Sequence, residues 1–175
     1  MLIISHRGNI NGPSEDENTP DKITEAIRRG FDVEVDVWVT NEGFCLGHDE
    51  PMFRINYSFL LNPRLWIHCK NEQALIELFL NEKLNVFWHK EGIAITSAGY
   101  LFTAPGLPLI SKSIAVMPEL TQDWNIKAAY GICTDYPFKY SKICKKTLLK
   151  KLKLLSRKLF QRYWLNQETV IMQKY

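Results

Sequence analysis

Phe31-Asp32-Val33-Glu34-Val35-Asp36-Val37 alternates valine with acid. A period of two belongs to a strand, so Asp32, Glu34 and Asp36 share one face and Val33, Val35 and Val37 the other. Three carboxylates in a row on one face repel one another. Either the strand is an edge whose acids face water, or a cation sits among them; paired oxygen ligands on a rigid strand suit a hard divalent ion such as Mg2+ or Ca2+.

Working outward, Leu2-Ile3-Ile4-Ser5 reads as a short strand that delivers His6 and Arg7 to the start of a loop. An arginine in that place suits a bidentate, charge-assisted grip on phosphate oxygens. Downstream, Gly43-Phe44-Cys45-Leu46-Gly47-His48-Asp49 is a glycine-punctuated strand or hairpin arm that carries a second histidine. A lone histidine is ordinarily a hydrogen-bonded structural residue. Two imidazoles with a metal and an arginine between them are what acid and base catalysis at phosphorus requires near neutral pH. Between these segments a helix begins over 20–29: Thr19 caps it, Pro20 takes its first position, and Ile23, Ala26 and Ile27 form its inward face.

In order along the chain, His6-Arg7-Gly8, Glu17-Asn18-Thr19, Glu34-x-Asp36, Thr40-Asn41-Glu42-Gly43 and His48-Asp49 resemble the signature of the glycerophosphodiester phosphodiesterase family. Gly131-Ile132-Cys133-Thr134-Asp135-Tyr136-Pro137 resembles the strand that closes that family's barrel, so the likeness runs from residue 2 to residue 138. The resemblance implies a TIM-type (β/α) barrel, of the superfamily that includes phosphatidylinositol phosphodiesterases, with its site at the C-terminal ends of the strands. It implies that His6 and His48 are the catalytic acid/base pair, that Arg7 and Lys70 bind the substrate phosphate, and that Glu34 and Asp36 hold a divalent metal, Mg2+ or Ca2+ with Mn2+ also admitted. Glu17 and Asn18 would support the site from the first loop. The implied reaction is attack on phosphorus by a neighbouring hydroxyl of the alcohol, giving a cyclic phosphate that water later opens.

One departure bears on the metal. The family's third strand carries Glu-x-Lys, whereas this chain reads Leu65-Trp66-Ile67-His68-Cys69-Lys70, with His68 in the glutamate's place. Imidazole is neutral and softer than carboxylate, which weakens Mg2+ or Ca2+ and favours a transition metal by comparison. Either His68 or Glu119, at the end of the run Ser113–Pro118, would complete the metal set. His89 ends another such run after Asn85-Val86-Phe87-Trp88. Trp38, Phe53, Tyr57 and Trp66 are pocket walls or core.

At 175 residues the chain is one domain, shorter than the roughly 250 residues typical of a TIM barrel. Apolar runs at 2–5, 31–39, 65–69, 85–88, 100–103, 114–117 and 131–134 supply strand candidates, with a short arm at 44–47. Helices fit at 20–29, 72–83, about 120–128 and the C-terminal end. The expectation is a reduced, irregular TIM-type barrel with several outer helices short or missing. The barrel domain is assigned to 1–140 and a basic amphipathic helix to 141–175. Residues 1–138 are acidic overall, whereas 139–162 contain ten Lys or Arg and no acid, with Leu148, Leu152, Leu155, Leu159 and Tyr163 at helical spacing. That segment suits either an anionic membrane surface or the last helix of the barrel. No recognition motif accompanies the basic residues, so nucleic acid is not expected as a partner. No signal-like or membrane-spanning apolar run is present, so the chain is expected in the cytoplasm, and peripheral at the membrane if the basic segment meets lipid. Cys45, Cys69, Cys133 and Cys144 lack metal-ligand spacing and are expected as free thiols.

Two functions fit these residues. One is a metal-dependent phosphodiesterase acting on a glycerophosphodiester, a related polyol phosphodiester or a lipid headgroup, with phospholipase-like cleavage of whole lipids as a variant of the same chemistry. The other is a non-catalytic relative that binds a phosphorylated ligand or a membrane through a degraded metal site.

Overall fold

A computed structural model describes residues 1–142. The chain divides after Phe138 into two units. The expected basic helix at 141–175, its membrane contact and Cys144 lie almost wholly or entirely outside the described residues.

The first unit is built on ten strands: β1 (Leu2–His6), β2 (Asp32–Thr40), β3 (Gly43–Leu46), β4 (Phe53–Ile55), β5 (Leu65–Cys69), β6 (Asn85–Phe87), β7 (Ile93–Ile95), β8 (Leu101–Thr103), β9 (Ser113–Val116) and β10 (Gly131–Thr134). Three helices accompany them: α1 (Pro20–Arg28), α2 (Tyr57–Leu60) and α3 (Glu72–Leu78). The strands β6-β5-β2-β1-β10-β9-β8 run parallel in that order, while β7 joins β8, β3 joins β2 and β4 joins β3 antiparallel.

The expectation of a TIM-type barrel is corrected. This is a mixed, sheet-dominated half-barrel, curled but not closed by a β6–β8 ladder, and strands do not alternate with helices. The physical reason lies in the connections. Only α1 and α3 supply helices of several turns or near it; the β2–β5 connection is a hairpin arm with a four-residue helix, and the segment expected as a helix at 120–128 forms only two 3-10 turns. Met117 (φ 47°) and Asp123 (φ 61°) are left-handed there, and Trp124 Nε1 donates to the Leu107 carbonyl at 3.0 Å, which ties the segment down as a loop. The helix expected to run to 83 ends at Leu78 because the Asn81 side chain accepts from Lys83 N at 3.0 Å and turns the chain toward β6.

β2 is the spine of the sheet. Its first residues pair with β1 and its last with β3 along one edge, while β5 runs along the other. Val33, Val35 and Val37 are fully buried against Ile23 and Ala26 of α1 and Ala74 and Leu78 of α3. Each such valine contributes on the order of 1.5–3 kcal/mol of apolar transfer. The opposite face looks into the curl, where Ile4, Trp66, Phe87, Phe102, Ile114 and Cys133 form a second core. Phe87 and Phe102 stack with ring centroids 4.3 Å apart, so side chains fill the seam that no backbone ladder closes. Cys45, Cys69 and Cys133 are buried free thiols.

Candidate active site

Strand register brings the site together. In the β1–β2 ladder His6 lies opposite Glu34, and in the β2–β5 ladder Asp36 lies opposite His68. All four side chains stand on the inner face near the C-terminal ends of parallel strands, the usual place for ligands in such sheets. Asp32, on the same face, is set apart from them: Trp66 Nε1 donates to its carboxylate at 3.1 Å. The cluster of potential metal ligands is therefore Glu34, Asp36 and His68, whose ligand atoms lie within 4.8 Å of one another.

Asp36 is the hub. It is fully buried and accepts from Asn18 Nδ2 at 2.9 Å, from His68 Nδ1 at 2.8 Å and from His48 Nδ1 at 3.2 Å. Arg7 Nε lies 3.1 Å away and Lys70 Nζ 3.5 Å. Burial works against its charge, but the hydrogen bonds from His48 and His68 and the positive charge of His68 and Lys70 hold its carboxyl well below the ordinary range. Burial and the adjacent Asp36 charge push Glu34 up instead, against the opposing pull of His6, His68 and Arg7. Their shared site thus drives the two carboxyls apart, Asp36 toward its ionised form and Glu34 away from it.

The loops are shaped to hold the cations. Arg7 sits in the left-handed region at φ 51°, strained backbone for a non-glycine residue, and its N–H donates to the Glu34 carbonyl at 3.0 Å. Its guanidinium donates through Nη1 to Glu17 at 2.6 Å and through Nη2 to His48 Nε2 at 3.1 Å. Gly8 follows at φ 81°, and a Cβ there would stand 3.0 Å from the α1 backbone at Lys22 and Ile23. On the other side a Cβ on Gly47 would stand 2.0 Å from the Glu50 carbonyl oxygen, so only glycine permits the turn that presents His48.

His6 has its own orienting carboxylate. Its Nδ1 donates to Asp135 at 2.9 Å, which leaves Nε2 facing Glu34 at 3.9 Å. Burial lowers the affinity of His6 for a proton, but the Asp135 hydrogen bond and the Glu34 charge outweigh it, so the imidazole titrates above its ordinary value. Fully buried Asn9 donates to both Asp135 (2.9 Å) and Glu17 (3.0 Å), and so ties the support of His6 to the support of Arg7. Asp135 and Asn9 were not singled out as site residues from sequence. Asp135 stands at the end of the last apolar run, inside the motif Gly131–Pro137, and that position was its one visible signal.

Glu119 is corrected as a metal ligand. Its carboxylate accepts from Thr134 Oγ1 and from the Asp135 backbone N–H, each at 2.9 Å, and it lies outside the ligand cluster. Its part is to hold the end of β10. Of the aromatics left open as wall or core, Phe53 packs against the outer core, Trp66 belongs to the inner one, and Trp38 Nε1 donates to the Gly47 carbonyl. Phe87, Phe102 and Val116 line the cleft instead.

That cleft has a volume of about 260 Å³ and is lined by His6, His48, His68 and His89, together with Arg7, Glu34, Asp36 and Lys70. The chain contains four histidines, and all of them meet here from positions 83 residues apart in sequence. No family model and no curated protein matches this chain. The chemistry of the cleft must be argued from its own atoms.

The donor set fits a metal. His68 Nε2 donates to the His89 carbonyl at 3.3 Å, the outer bond that characteristically fixes a ligating histidine. Nδ1 faces Asp36 at 2.8 Å, to which it donates when protonated, and Glu34 at 3.7 Å; a metal ion there would take the place of that proton and meet the Nδ1 lone pair and both carboxylates.

Proposed function

We propose that the protein is a metal-dependent phosphodiesterase of the glycerophosphodiester phosphodiesterase type, acting on a glycerophosphodiester or a related polyol phosphodiester. The observation that carries this reading is the pair of oriented imidazoles. His6 and His48 each have Nδ1 bonded to a carboxylate, Asp135 and Asp36 respectively, and both rings line one cleft with Arg7 and Lys70. A binding site for phosphate needs the cations. It has no use for two proton-transfer groups held in defined tautomers.

In the proposed reaction Arg7 and Lys70 hold the phosphoryl oxygens of the substrate. His48, with Nδ1–H given to Asp36, has its Nε2 lone pair engaged by Arg7 Nη2 at 3.1 Å; once Arg7 turns to the phosphate, that lone pair takes the proton of the hydroxyl neighbouring the phosphate. That hydroxyl oxygen attacks phosphorus, the bond to the leaving alcohol breaks, and His6, favoured as imidazolium by Asp135, protonates the departing oxygen. The products are a cyclic phosphodiester and a free alcohol; water opens the ring with the two histidines exchanging roles. A divalent ion at Glu34, Asp36 and His68 would neutralise charge developing on the phosphoryl group. The cleft, smaller than the roughly 300–1,000 Å³ of typical ligand pockets, suits a compact polyol head more than a whole lipid.

Phosphorus NMR of glycerophosphocholine digests tests the reading. With Mg2+, Ca2+ or Mn2+ the expected products are a cyclic glycerol phosphate and choline, with no turnover in EDTA and none of an analogue lacking the neighbouring hydroxyl. Equal cleavage of that analogue would remove the cyclic route. No turnover of any polyol phosphodiester by folded protein under every metal would replace the enzyme with a phospho-ligand binder.

A further inference from the structure

Lys90 has no part in the reaction proposed above, yet it lines the same cleft from the β6–β7 loop and is exposed there. The loop is pinned on both sides of it: His68 Nε2 donates to the His89 carbonyl at 3.3 Å, and Ala104 N donates to the Gly92 carbonyl at 2.9 Å. The cleft's arginine and its other lysine are already paired. Arg7 Nε lies 3.1 Å from Asp36, and Lys70 Nζ lies 3.5 Å from it. Lys90 makes no ion pair among the described residues; its ammonium stands over the Trp88 ring, 6.0 Å from the centroid. The cleft thus carries one lysine without a counter-charge of its own, on a side that a substrate group can reach.

The remaining lining points the same way. Glu34 and Asp36 are the two carboxylates that line the cleft, both are buried, and the site's own cations surround them. Phe87 stacks on His68 and on Phe102, with centroids 5.0 and 4.3 Å apart, and the Trp88 ring already carries Lys90. A quaternary ammonium would have to compete with these partners for the acids and for the rings that hold such groups.

We infer that Lys90 is a specificity-determining residue, and that the phosphodiester cleaved here carries a second anionic group, a phosphate or a carboxylate, on one of its alcohols. This rests on the phosphodiesterase reading and deepens it by naming the substrate class. Arg7 and Lys70 hold the reacting phosphoryl group, and Lys90 receives the second anion through a charge-assisted hydrogen bond. The contact is the same in ground and transition states, so it acts through KM rather than kcat. Because Lys90 is exposed, the preference weakens as salt rises. A choline head meets Lys90 as a like charge.

The test compares wild type, Lys90→Gln and Lys90→Glu, with Lys83→Glu, before the opposite end of β6, as the control for net charge. The substrates are glycerophosphoglycerol, the same diester bearing a terminal phosphate or a terminal carboxylate, and glycerophosphocholine. Both alcohols of the parent are glycerol, so the added group can lie with the attacking or the leaving one. The wild type is expected to cleave the anionic diesters with kcat/KM roughly tenfold above the parent, through KM, and glycerophosphocholine below it. In Lys90→Gln the preference should vanish, in Lys90→Glu it should invert, and in Lys83→Glu it should persist. Preference for one of the two anions alone would support the inference and identify the anion. No preference in the wild type, or one that survives in Lys90→Glu or is lost equally in Lys83→Glu, would overturn it and leave the phosphodiesterase standing. No turnover of any of these diesters by folded wild type under every metal would remove the enzyme reading, and the inference with it.

Discussion

The two edges of the cleft, the central strands on one side and the open seam of the sheet on the other, handle their polar groups in opposite ways. Along β10, β1 and β2 nearly every side chain of the site is cross-bonded: Asn9 joins Asp135 to Glu17, Glu17 holds Arg7, Arg7 reaches His48, and Asn18 and His48 both donate to Asp36. Along the seam of β6 and β8 the closure is aromatic, and the buried Nε2 of His89 and Oδ1 of Asn85 have no hydrogen-bond partner; on the other side only Arg7 Nε, among the described residues, is in that state, and it has its ion pair with Asp36. The first region spends its polar atoms on orientation. The second leaves them available and relies on apolar contact for cohesion. Activity should therefore be most sensitive on the first edge, and stability on the second.

The sharpest break of that contrast is His6→Ala. Loss of a general acid or base is expected to lower turnover by about a hundred- to ten-thousand-fold. The fold should tolerate the change, since His6 is replaced beside the intact Asn9–Asp135 bond. Steady-state rates with a far-UV melt on the same sample would decide it; a variant that unfolds outright would show that the networked edge is structural first. The second break is Phe102→Ala on the seam. Phe102 is 3% exposed and contacts both Phe87 and Trp66, so truncation should cost roughly 3–5 kcal/mol in denaturant unfolding. Phe102 also lines the cleft, so turnover of the folded fraction should fall, but by much less than in His6→Ala. If activity fell as far as in His6→Ala, the division of labour between the edges would fail.

The same division explains what the sequence disclosed. The alternation in Phe31–Val37 determined both faces of β2, because a period of two admits one assignment, and strand ends placed His6, His48 and Lys70 at the cleft. Crossovers were another matter. A barrel was expected from the resemblance, but Phe53–Ile55 and Ile93–Ile95, to which no element had been assigned, are too short to stand out and form antiparallel partners on the sheet. Glu119 looked like a ligand because it ends a run; a strand end says where a side chain starts and nothing of what it meets, and here it meets Thr134 and Asp135. His89 was visible only as another strand-end histidine. The missing hydrogen-bond partner at its Nε2 is a fact of packing that no local pattern encodes.

The gentlest test uses pH, with the protein kept in EDTA. His6, on the bonded edge, titrates above its ordinary 6.5: burial opposes the proton, but the Asp135 hydrogen bond and the Glu34 charge prevail. A raised folded value means that the folded state holds the proton more tightly, so the contribution of His6 to stability is present below 6.5 and is lost as pH rises through the folded value. His89, on the seam, titrates below 6.5, because burial and the positive charge of His68 and Lys70 outweigh a hydrogen bond that its ring donates to the Gly92 backbone. The unfolded chain then takes up a proton that the folded one refuses, and stability is lost as pH falls from 6.5 toward the folded value. The two imidazoles thus tilt the stability curve in opposite directions across the same window. His6→Gln should lessen the gain in stability on acidification from pH about 8 to 5.5, and His89→Gln should enlarge it. Urea midpoints at several pH values for the two variants provide the measurement. Slopes that change in the same direction would show that the two edges share one electrostatic environment, and the contrast between an engaged edge and an open one would have to be given up.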